Sequence, residues 1–118
     1  MISLYLITQI IIAHTISDFI FQTDKVAKNK STSYLYLAVH AYVYIIGFGI
    51  FFIRNEGNVV GFLLTNFIAH FLVDGITSRI NSHFYKKGDT HFFFVGVGID
   101  QAIHYITLFS TAIYFGVR

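Results

Sequence analysis

Four apolar stretches, each long enough to cross a membrane, constrain the fold of this chain more than any other feature. They cover residues 2–21, 34–53, 59–78 and 92–117. A helix of about 20 apolar residues crosses a bilayer core of roughly 30 Å. Within lipid, only helices and closed barrels satisfy every backbone polar group. The sequence therefore predicts an all-α, four-helix transmembrane bundle that forms a single domain over residues 1–118.

The composition also indicates a membrane protein rather than a soluble domain. The chain is 55% hydrophobic and only 12% charged, whereas soluble domains have about 25% charged residues. Its formal net charge of +2 is too small for a nucleic-acid-binding face, so we expect no nucleic-acid partner. Because the chain contains no cysteine, any bound metal must be held by nitrogen and oxygen atoms.

The basic residues between the apolar stretches predict the orientation in the membrane. Most of them lie in two connections, residues 23–33 and 79–91, which we expect to be loops, whereas Arg54 and Arg118 lie on the opposite side. By the positive-inside rule the two loops are cytoplasmic, and both termini are on the non-cytoplasmic side. Residues 54–58 are expected to form a tight turn. We therefore predict a multi-pass protein of an inner (cytoplasmic) membrane, and the small size leaves homo-oligomerisation open.

Seven ionisable side chains inside the apolar stretches give the strongest functional signal. A charged Asp at mid-membrane costs about 2.5–3.5 kcal/mol on insertion scales, so such residues should face one another. Three His/Asp pairs are spaced four residues apart, which places each pair on one helix face. All seven can share one layer if the fourth helix is regular from near Gly96. They are His14, Asp18, His40, His70, Asp74, Asp100 and His104.

Three aspartates with no Lys or Arg in the same stretches need a positive partner. They can be neutralised by protonation of Asp, by protonation of His or by a bound cation. One divalent ion leaves a net negative charge, so charge balance favours two ions with a bridging hydroxide. Zn²⁺, Fe and Mn²⁺ all accept such ligands from the facing helices of a bundle. The sequence predicts a mono- or dinuclear metal site with all seven residues as ligands; a proton pathway and a structural network are the alternatives.

Other polar residues extend this layer. Gln22 and Asn66 each lie four residues from a member of the cluster and are candidates for hydrogen bonds to the ligands. An ordinary helix–helix contact would explain both equally well. Gln101 points about 100° away from Asp100 on a helix, so we do not expect it to be a ligand.

Lysine and arginine residues just below the layer are candidates for substrate binding. Lys25, Lys28 and Arg79 could grip a phosphate group, although anchoring at the cytoplasmic surface explains them without any such function.

An internal repeat relates the two halves of the chain. The sequence Ile-Ala-His followed four residues later by Asp occurs at His14 and again at His70. The simplest account is a duplicated helical hairpin whose halves run in the same direction. Chance similarity between apolar helices is the alternative. The repeat predicts that Tyr36 occupies the position that corresponds to Asp100.

The order of polar residues along the chain carries a resemblance to a known family. The residues concerned are His14, Asp18, Phe19, Gln22, His40, His70, Asp74, Asp100, Gln101 and His104. In this order they resemble a family of bacterial and phage membrane proteins catalogued as domain of unknown function 3307 (DUF3307). The resemblance spans nearly the whole chain and implies no established reaction. More loosely, the chain is similar to small membrane-bound metal-dependent hydrolases of the bacterial inner membrane.

The leading functional hypothesis is a metal-dependent membrane enzyme. It would hydrolyse a lipid or a lipid-linked (phospho)ester at the cytoplasmic leaflet, with membrane lipid as its surroundings and its source of substrate. Asp18, Asp74 and Asp100 are the candidate catalytic residues, as metal ligands that activate water or as a general base. The alternatives are a di-iron-type membrane oxidoreductase, a proton or metal-ion conduit, and a small non-enzymatic membrane-interaction protein.

Overall fold

A computed structural model describes residues 2–118, which are mostly helical and contain no strand. Three helices, α3 (Tyr34–Phe52), α4 (Val59–Lys87) and α5 (Thr90–Tyr114), are long and apolar enough to cross a membrane, and the first helical segment is shorter. The predicted all-α class is confirmed, with three long apolar helices and a shorter one that pack as a bundle. The elements are α1 (Leu4–Thr15), a π-helical turn (Ile16–Ile20), α2 (Asp24–Asn29), α3 (Tyr34–Phe52), α4 (Val59–Lys87) and α5 (Thr90–Tyr114).

The interior of the bundle is apolar in one half and polar in the other. In the apolar half, aromatic rings of α3 and α4 form a ladder. Ring centroids are 4.9 Å apart for Tyr44 and Phe48, and 5.6 Å apart for Phe48 and Phe52. Phe62 packs against Phe52 at 5.4 Å, and Leu108 of α5 is fully buried beside them. Because lipid is as apolar as these side chains, the ladder stabilises the bundle by van der Waals packing rather than by the hydrophobic effect.

Backbone hydrogen bonds close the apolar end of the bundle. The amide nitrogen of Glu56 donates to the carbonyl of Arg118 at 2.8 Å, and the reciprocal hydrogen bond is 3.1 Å long. Gly57 adopts a φ of 92°, and a Cβ atom there would overlap the backbone of Gly116. The tight turn expected over residues 54–58 is present, and backbone hydrogen bonds join it to Arg118.

Helix α4 extends beyond the membrane-spanning length predicted from hydropathy. The prediction of a loop over residues 79–91 is wrong, because α4 continues to Lys87 and only Gly88 and Asp89 separate it from α5. Gly88 ends the helix with a φ of 77°, and its N–H bonds to the carbonyl of Tyr85. At 29 residues, α4 is about 44 Å long, against roughly 30 Å for a bilayer core. Hydropathy detects only the part in lipid, and no helix-breaking residue interrupts the polar continuation before Gly88.

The connection over residues 23–33 was also expected to be a loop, but it contains the short helix α2. Thr23 caps this helix, since its hydroxyl oxygen accepts a hydrogen bond from the N–H of Val26 at 3.3 Å. The helix packs against α3 and buries none of its own residues. It carries Lys28, and Lys30 follows it directly. We call this end of the molecule the α2 end.

A π-helical turn, rather than regular α-helix, ends the first span. The N–H of Phe21 donates to the carbonyl of Ile16, five residues earlier, at 2.9 Å. This wider turn buries both Ser17 and Asp18. Ser17 lies directly against Gly47 of α3, where a Cβ atom would overlap the Ser17 hydroxyl. The absence of a side chain at Gly47 therefore lets the turn approach α3 and deliver Asp18 into the bundle.

We expect Gly47→Ala to destabilise the protein, because the added methyl group would push the π-helical turn away from α3. Overpacking of this kind typically costs about 1–3 kcal/mol. Thermal unfolding in detergent measures the effect. Gly49→Ala is the matched control, since a Cβ atom there meets only Leu63 Cδ1 at 3.9 Å. Equal melting temperatures for the two variants would contradict the close approach.

Candidate metal centre

Six of the seven predicted ligands converge in the polar half of the bundle. They form three overlapping groups, and within each group one ligand atom from every residue lies within 4.8 Å of the others. All six residues are buried, and the most exposed of them, Asp100, is 7% exposed. The groups are Asp18, His70 and His104; His40, His70 and Asp74; and Asp74, Asp100 and His104.

His40 Nε2 and three neighbouring atoms have distances close to those of a ligand shell. His40 Nε2 lies 2.9 Å from Asp18 Oδ1, 3.0 Å from His70 Nε2 and 3.5 Å from Asp74 Oδ2. His70 Nε2 lies 3.6 Å from Asp18 Oδ1. A tetrahedral ion with bonds of about 2.0–2.2 Å holds its ligand atoms roughly 3.3–3.6 Å apart. These four residues, which we call the quartet, could therefore hold one divalent ion after small side-chain shifts.

A second set of ligand atoms lies beside the quartet, on α4 and α5. His104 Nε2 lies 3.2 Å from Asp100 Oδ1, but the geometry of this contact is poor, and the buried nitrogen has no hydrogen-bond partner among the described residues. The hydroxyl of Thr77 donates to the same carboxylate. The His104 ring stacks on His70 with a centroid distance of 4.4 Å. Since Asp74 belongs to both sets, it could bridge two ions.

His14 lies at the edge of the cluster, and both of its ring nitrogens are occupied. Its Nε2 is 2.7 Å from Gln101 Oε1, and its Nδ1 is 3.0 Å from the Tyr44 hydroxyl. Gln101 Nε2 donates to Asp100 at 3.1 Å and to Asp18 at 3.4 Å. Because carboxylates only accept, the amide oxygen must face His14, which therefore carries its proton on Nε2 and accepts the Tyr44 proton at Nδ1. His14, which the sequence predicted as a ligand, lies outside the three ligand groups and hydrogen-bonds to Gln101 and Tyr44.

Gln101 and Tyr44 are members of the site that the sequence reasoning missed. Gln101, which we did not expect to be a ligand, hydrogen-bonds to the aspartates, because a residue about 100° around α5 from Asp100 still faces the interior, where α1 and α4 pack against α5. Tyr44 could have been found, since it lies four residues after His40 on the same helix face. Its ring stacks on His70 with centroids 3.8 Å apart.

Lys30 reaches the cluster from outside the spans. Its Nζ lies 3.1 Å from Asp74 Oδ2 and 3.3 Å from Asp74 Oδ1. The expectation that only protons or metal ions can neutralise the aspartates is therefore wrong, because a flexible lysine stem carries an ammonium group inward from the α2 end. Three carboxylates and one ammonium leave a charge of −2, which a single divalent ion balances. Charge balance now favours one ion rather than two.

The remaining predicted polar residues divide between the site and ordinary helix contacts. Gln22 and Lys28 line the cavity at the cluster, and Gln22 Oε1 is buried without a hydrogen-bond partner among the described residues. Asn66 instead donates to Thr111 Oγ1 at 2.8 Å and joins α4 to α5. This is the helix–helix contact that the sequence left as an alternative for Asn66.

Three other predicted residues make contacts outside the cavity lining. Lys25 Nζ lies 5.8 Å from the ring centroid of Tyr36. The guanidinium of Arg79 lies 4.6 Å from the ring centroid of Tyr34 and donates to the carbonyl of Gly75 at 2.7 Å. The structure therefore does not bring Lys25, Tyr36 or Arg79 to the cluster, and Tyr36 does not take a place equivalent to that of Asp100.

A cavity of about 510 Å³ extends from the cluster towards the α2 end. Asp18, Asp74 and Asp100 form its floor, and Lys28 and Lys86 lie on its rim. Its walls come from the π-helical turn, α2, the polar extension of α4 and the first turns of α5. A cavity of this volume accommodates a small ligand, since such sites usually measure about 300–1,000 Å³.

The comparisons with known proteins identify one family. The family described as Protein of unknown function (DUF3307) matches residues 6–117, nearly the whole chain. The chain belongs to the DUF3307 family. The matched region includes the cluster and every residue that lines the cavity of this DUF3307 protein. No curated protein and no solved structure matches the chain, and the looser likeness to membrane-bound metal-dependent hydrolases finds no support.

In the metal-free DUF3307 protein, Lys30→Gln should lower the melting temperature, because it leaves the buried Asp74 carboxylate without its ammonium partner. Breaking a fully buried ion pair costs about 3–5 kcal/mol. That range is an upper bound here, because the Lys30 side chain is 17% exposed. Thermal unfolding with a chelator present measures the loss, and Lys25→Gln is the control. Adding Asp74→Asn to Lys30→Gln should restore stability, because it removes the unpaired carboxylate. A drop in melting temperature for Lys30→Gln that is no larger than the drop for Lys25→Gln would contradict the ion pair.

Proposed function

We propose that this DUF3307 protein is a metal-dependent membrane enzyme that hydrolyses an ester bond of a lipid or a lipid-linked substrate. The observation that carries the proposal is the convergence of imidazole and carboxylate atoms at the floor of a ligand-sized cavity. Charged carboxylates in an apolar bundle need positive partners, and Lys30 provides only one. One divalent transition ion, Zn²⁺, Mn²⁺ or Fe²⁺, would provide the rest.

The quartet of Asp18, His40, His70 and Asp74 is the best candidate to hold this ion, because four distances between its ligand atoms, 2.9 to 3.6 Å, are close to those of a tetrahedral shell. Such an ion supplies Lewis acidity that activates water and polarises an ester oxygen. Asp100 faces the same cavity outside the quartet and could accept a proton from the attacking water.

A hydrogen-bonded chain would keep these carboxylates in position during the reaction. Tyr44 donates to His14, His14 donates to Gln101, and the Gln101 amide donates to Asp18 and Asp100. A neutral amide between two acidic side chains fixes their separation without adding charge. The general base would therefore stay at a constant distance from the ion.

An oxidoreductase with two iron ions is the second candidate, and the shared position of Asp74 favours it. A dinuclear centre would require Lys30 to leave Asp74, since an ammonium group already lies at that carboxylate. The optical spectrum and the iron content of the purified protein distinguish this chemistry from hydrolysis.

The packing beyond the cluster favours a closed site over an ion conduit. An ion that moved from the cluster towards the apolar end would pass the Asn66 and Thr111 pair and then meet fully buried aromatic rings. Phe48, Phe52 and Phe62 fill that part of the interior. Membrane conduits instead line their paths with polar groups.

The surface of the bundle supports a position in the bacterial inner membrane with the cavity at the cytoplasmic leaflet. Lys86 and Lys87 end α4 at the α2 end, where Lys28 and Lys30 also lie, as the positive-inside rule requires of a cytoplasmic side. Both termini would then be non-cytoplasmic. Large apolar side chains on the outside of α3 and α4 would face lipid; among them are Ile46, Ile50, Leu64, Ile68 and Leu72.

Protein purified in detergent should contain about one divalent transition ion per chain, as the charge balance requires. His70→Ala should weaken metal affinity at least about 100-fold, because His70 contributes to two of the three ligand groups. Elemental analysis and zinc titration measure both quantities. His83→Ala is the control, since His83 is exposed on the polar extension of α4. Equal metal contents in the two variants, or none in the wild type, would overturn the metal site.

A further inference from the structure

Two lysines at the cavity have no acidic partner. Lys28 on α2 and Lys86 in the last turn of α4 both line the cavity, and both are exposed. Within residues 2–118, the ion pairs of Lys and Arg are Lys30 with Asp74 and Arg118 with Glu56. The rim therefore presents two positive charges that the protein itself does not neutralise.

Hydrogen-bond donors lie between these lysines and the carboxylate floor. Ser78 and Ser82 are one helical turn apart on α4, and both line the cavity. The Ser78 hydroxyl is buried and has no hydrogen-bond partner among the described residues. Hydroxyl groups donate hydrogen bonds to phosphate oxygens, and ammonium groups donate stronger, charge-assisted ones. This wall of the cavity therefore has the chemistry of an anion site, although its floor is acidic.

We propose that this part of the cavity binds the phosphate group of a lipid phosphate monoester. The inference rests on the proposed hydrolase and narrows its substrate class. A phosphate monoester carries a charge of about −1.5 to −2 at pH 7. The two ammonium groups of Lys28 and Lys86 balance this charge, while the divalent ion and Lys30 balance the three aspartates. The cavity would then be neutral with both metal and substrate bound.

The apolar part of the cavity lining indicates that the phosphate is attached to a lipid. Phe19 of the π-helical turn and Phe93 and Val97 of α5 line the cavity beside the polar groups. Phe19 is 51% exposed at the surface of the bundle. An acyl or isoprenyl chain could leave the cavity along these side chains and enter the bilayer. A soluble phosphate compound has no apolar chain that would contact these side chains.

Hydrolysis at this position would transfer the phosphoryl group to water. The oxygen of the attacking water forms a bond to phosphorus, and the bond from phosphorus to the lipid oxygen breaks. The proton released by water passes to Asp100 and then to the departing lipid oxygen. The products are a lipid alcohol and inorganic phosphate, and no oxidant or other reactant is needed.

Binding of decylphosphonate to the zinc-loaded protein in non-ionic detergent tests this proposal. Its phosphorus–carbon bond resists hydrolysis, so calorimetric titration reports binding alone. The double variant Lys28→Gln/Lys86→Gln should bind it at least about tenfold more weakly, because it removes both free ammonium groups. Lys25→Gln/Lys87→Gln is the matched control: it also removes two positive charges, from exposed residues outside the cavity lining. It should change the affinity less than about twofold.

The outcomes distinguish a lipid phosphate from a soluble one, and a failure of the phosphate site from a failure of the proposed metal-dependent function. Tighter binding of decylphosphonate than of inorganic phosphate supports a lipid; equal affinities would overturn the lipid assignment in favour of a soluble phosphate compound. Equal losses of affinity in Lys25→Gln/Lys87→Gln and in Lys28→Gln/Lys86→Gln would overturn the proposed site at the rim. Zinc titration of the same samples shows whether the phosphate site or the metal site is absent. Wild type that binds zinc but no phosphonate refutes the phosphate site alone, whereas wild type that binds no zinc refutes the metal-dependent function.

Discussion

Neutralisation of three carboxylates inside an apolar bundle is the constraint on which the polar half of this protein depends. Lys30 reaches Asp74 from outside the spans, and the Gln101 amide lies between Asp18 and Asp100. These contacts still leave an excess of negative charge beside four imidazoles. The remaining charge is the reason that a bound cation explains the cluster better than a purely structural network does.

The apolar half of the interior stabilises the bundle, and the polar half contains the candidate site. The aromatic ladder around Phe48 and Phe52 packs on one side of the cluster. On the other side, the cavity is bounded by α2, which buries no residue of its own, and by the polar extension of α4. A ligand would therefore enter from the α2 end, and the apolar half would hold the ligating side chains in place without taking part in the chemistry.

Local sequence patterns were sufficient to predict the four apolar helical segments and most of the cluster, but not the short helix α2. Hydropathy detects lipid-spanning segments, and a spacing of four residues fixes which side chains share a helix face, as it does for His70 and Asp74. The same methods could not find the end of α4 at Lys87, because a polar helix outside lipid has no hydropathy signal. Nor could they find Lys30 or Gln101, since both meet the aspartates through packing between elements far apart in the chain. The π-helical turn at Asp18 likewise depends on the approach to Gly47.

X-ray absorption at the metal edge, on protein purified from cells without added metal, tests the central claim most directly. The account predicts a first shell of nitrogen and oxygen atoms at about 2.0–2.2 Å, with no sulfur and with the outer-shell scattering that imidazole rings produce. A sample without a metal edge, or a shell made only of water oxygens with no imidazole scattering, would contradict it.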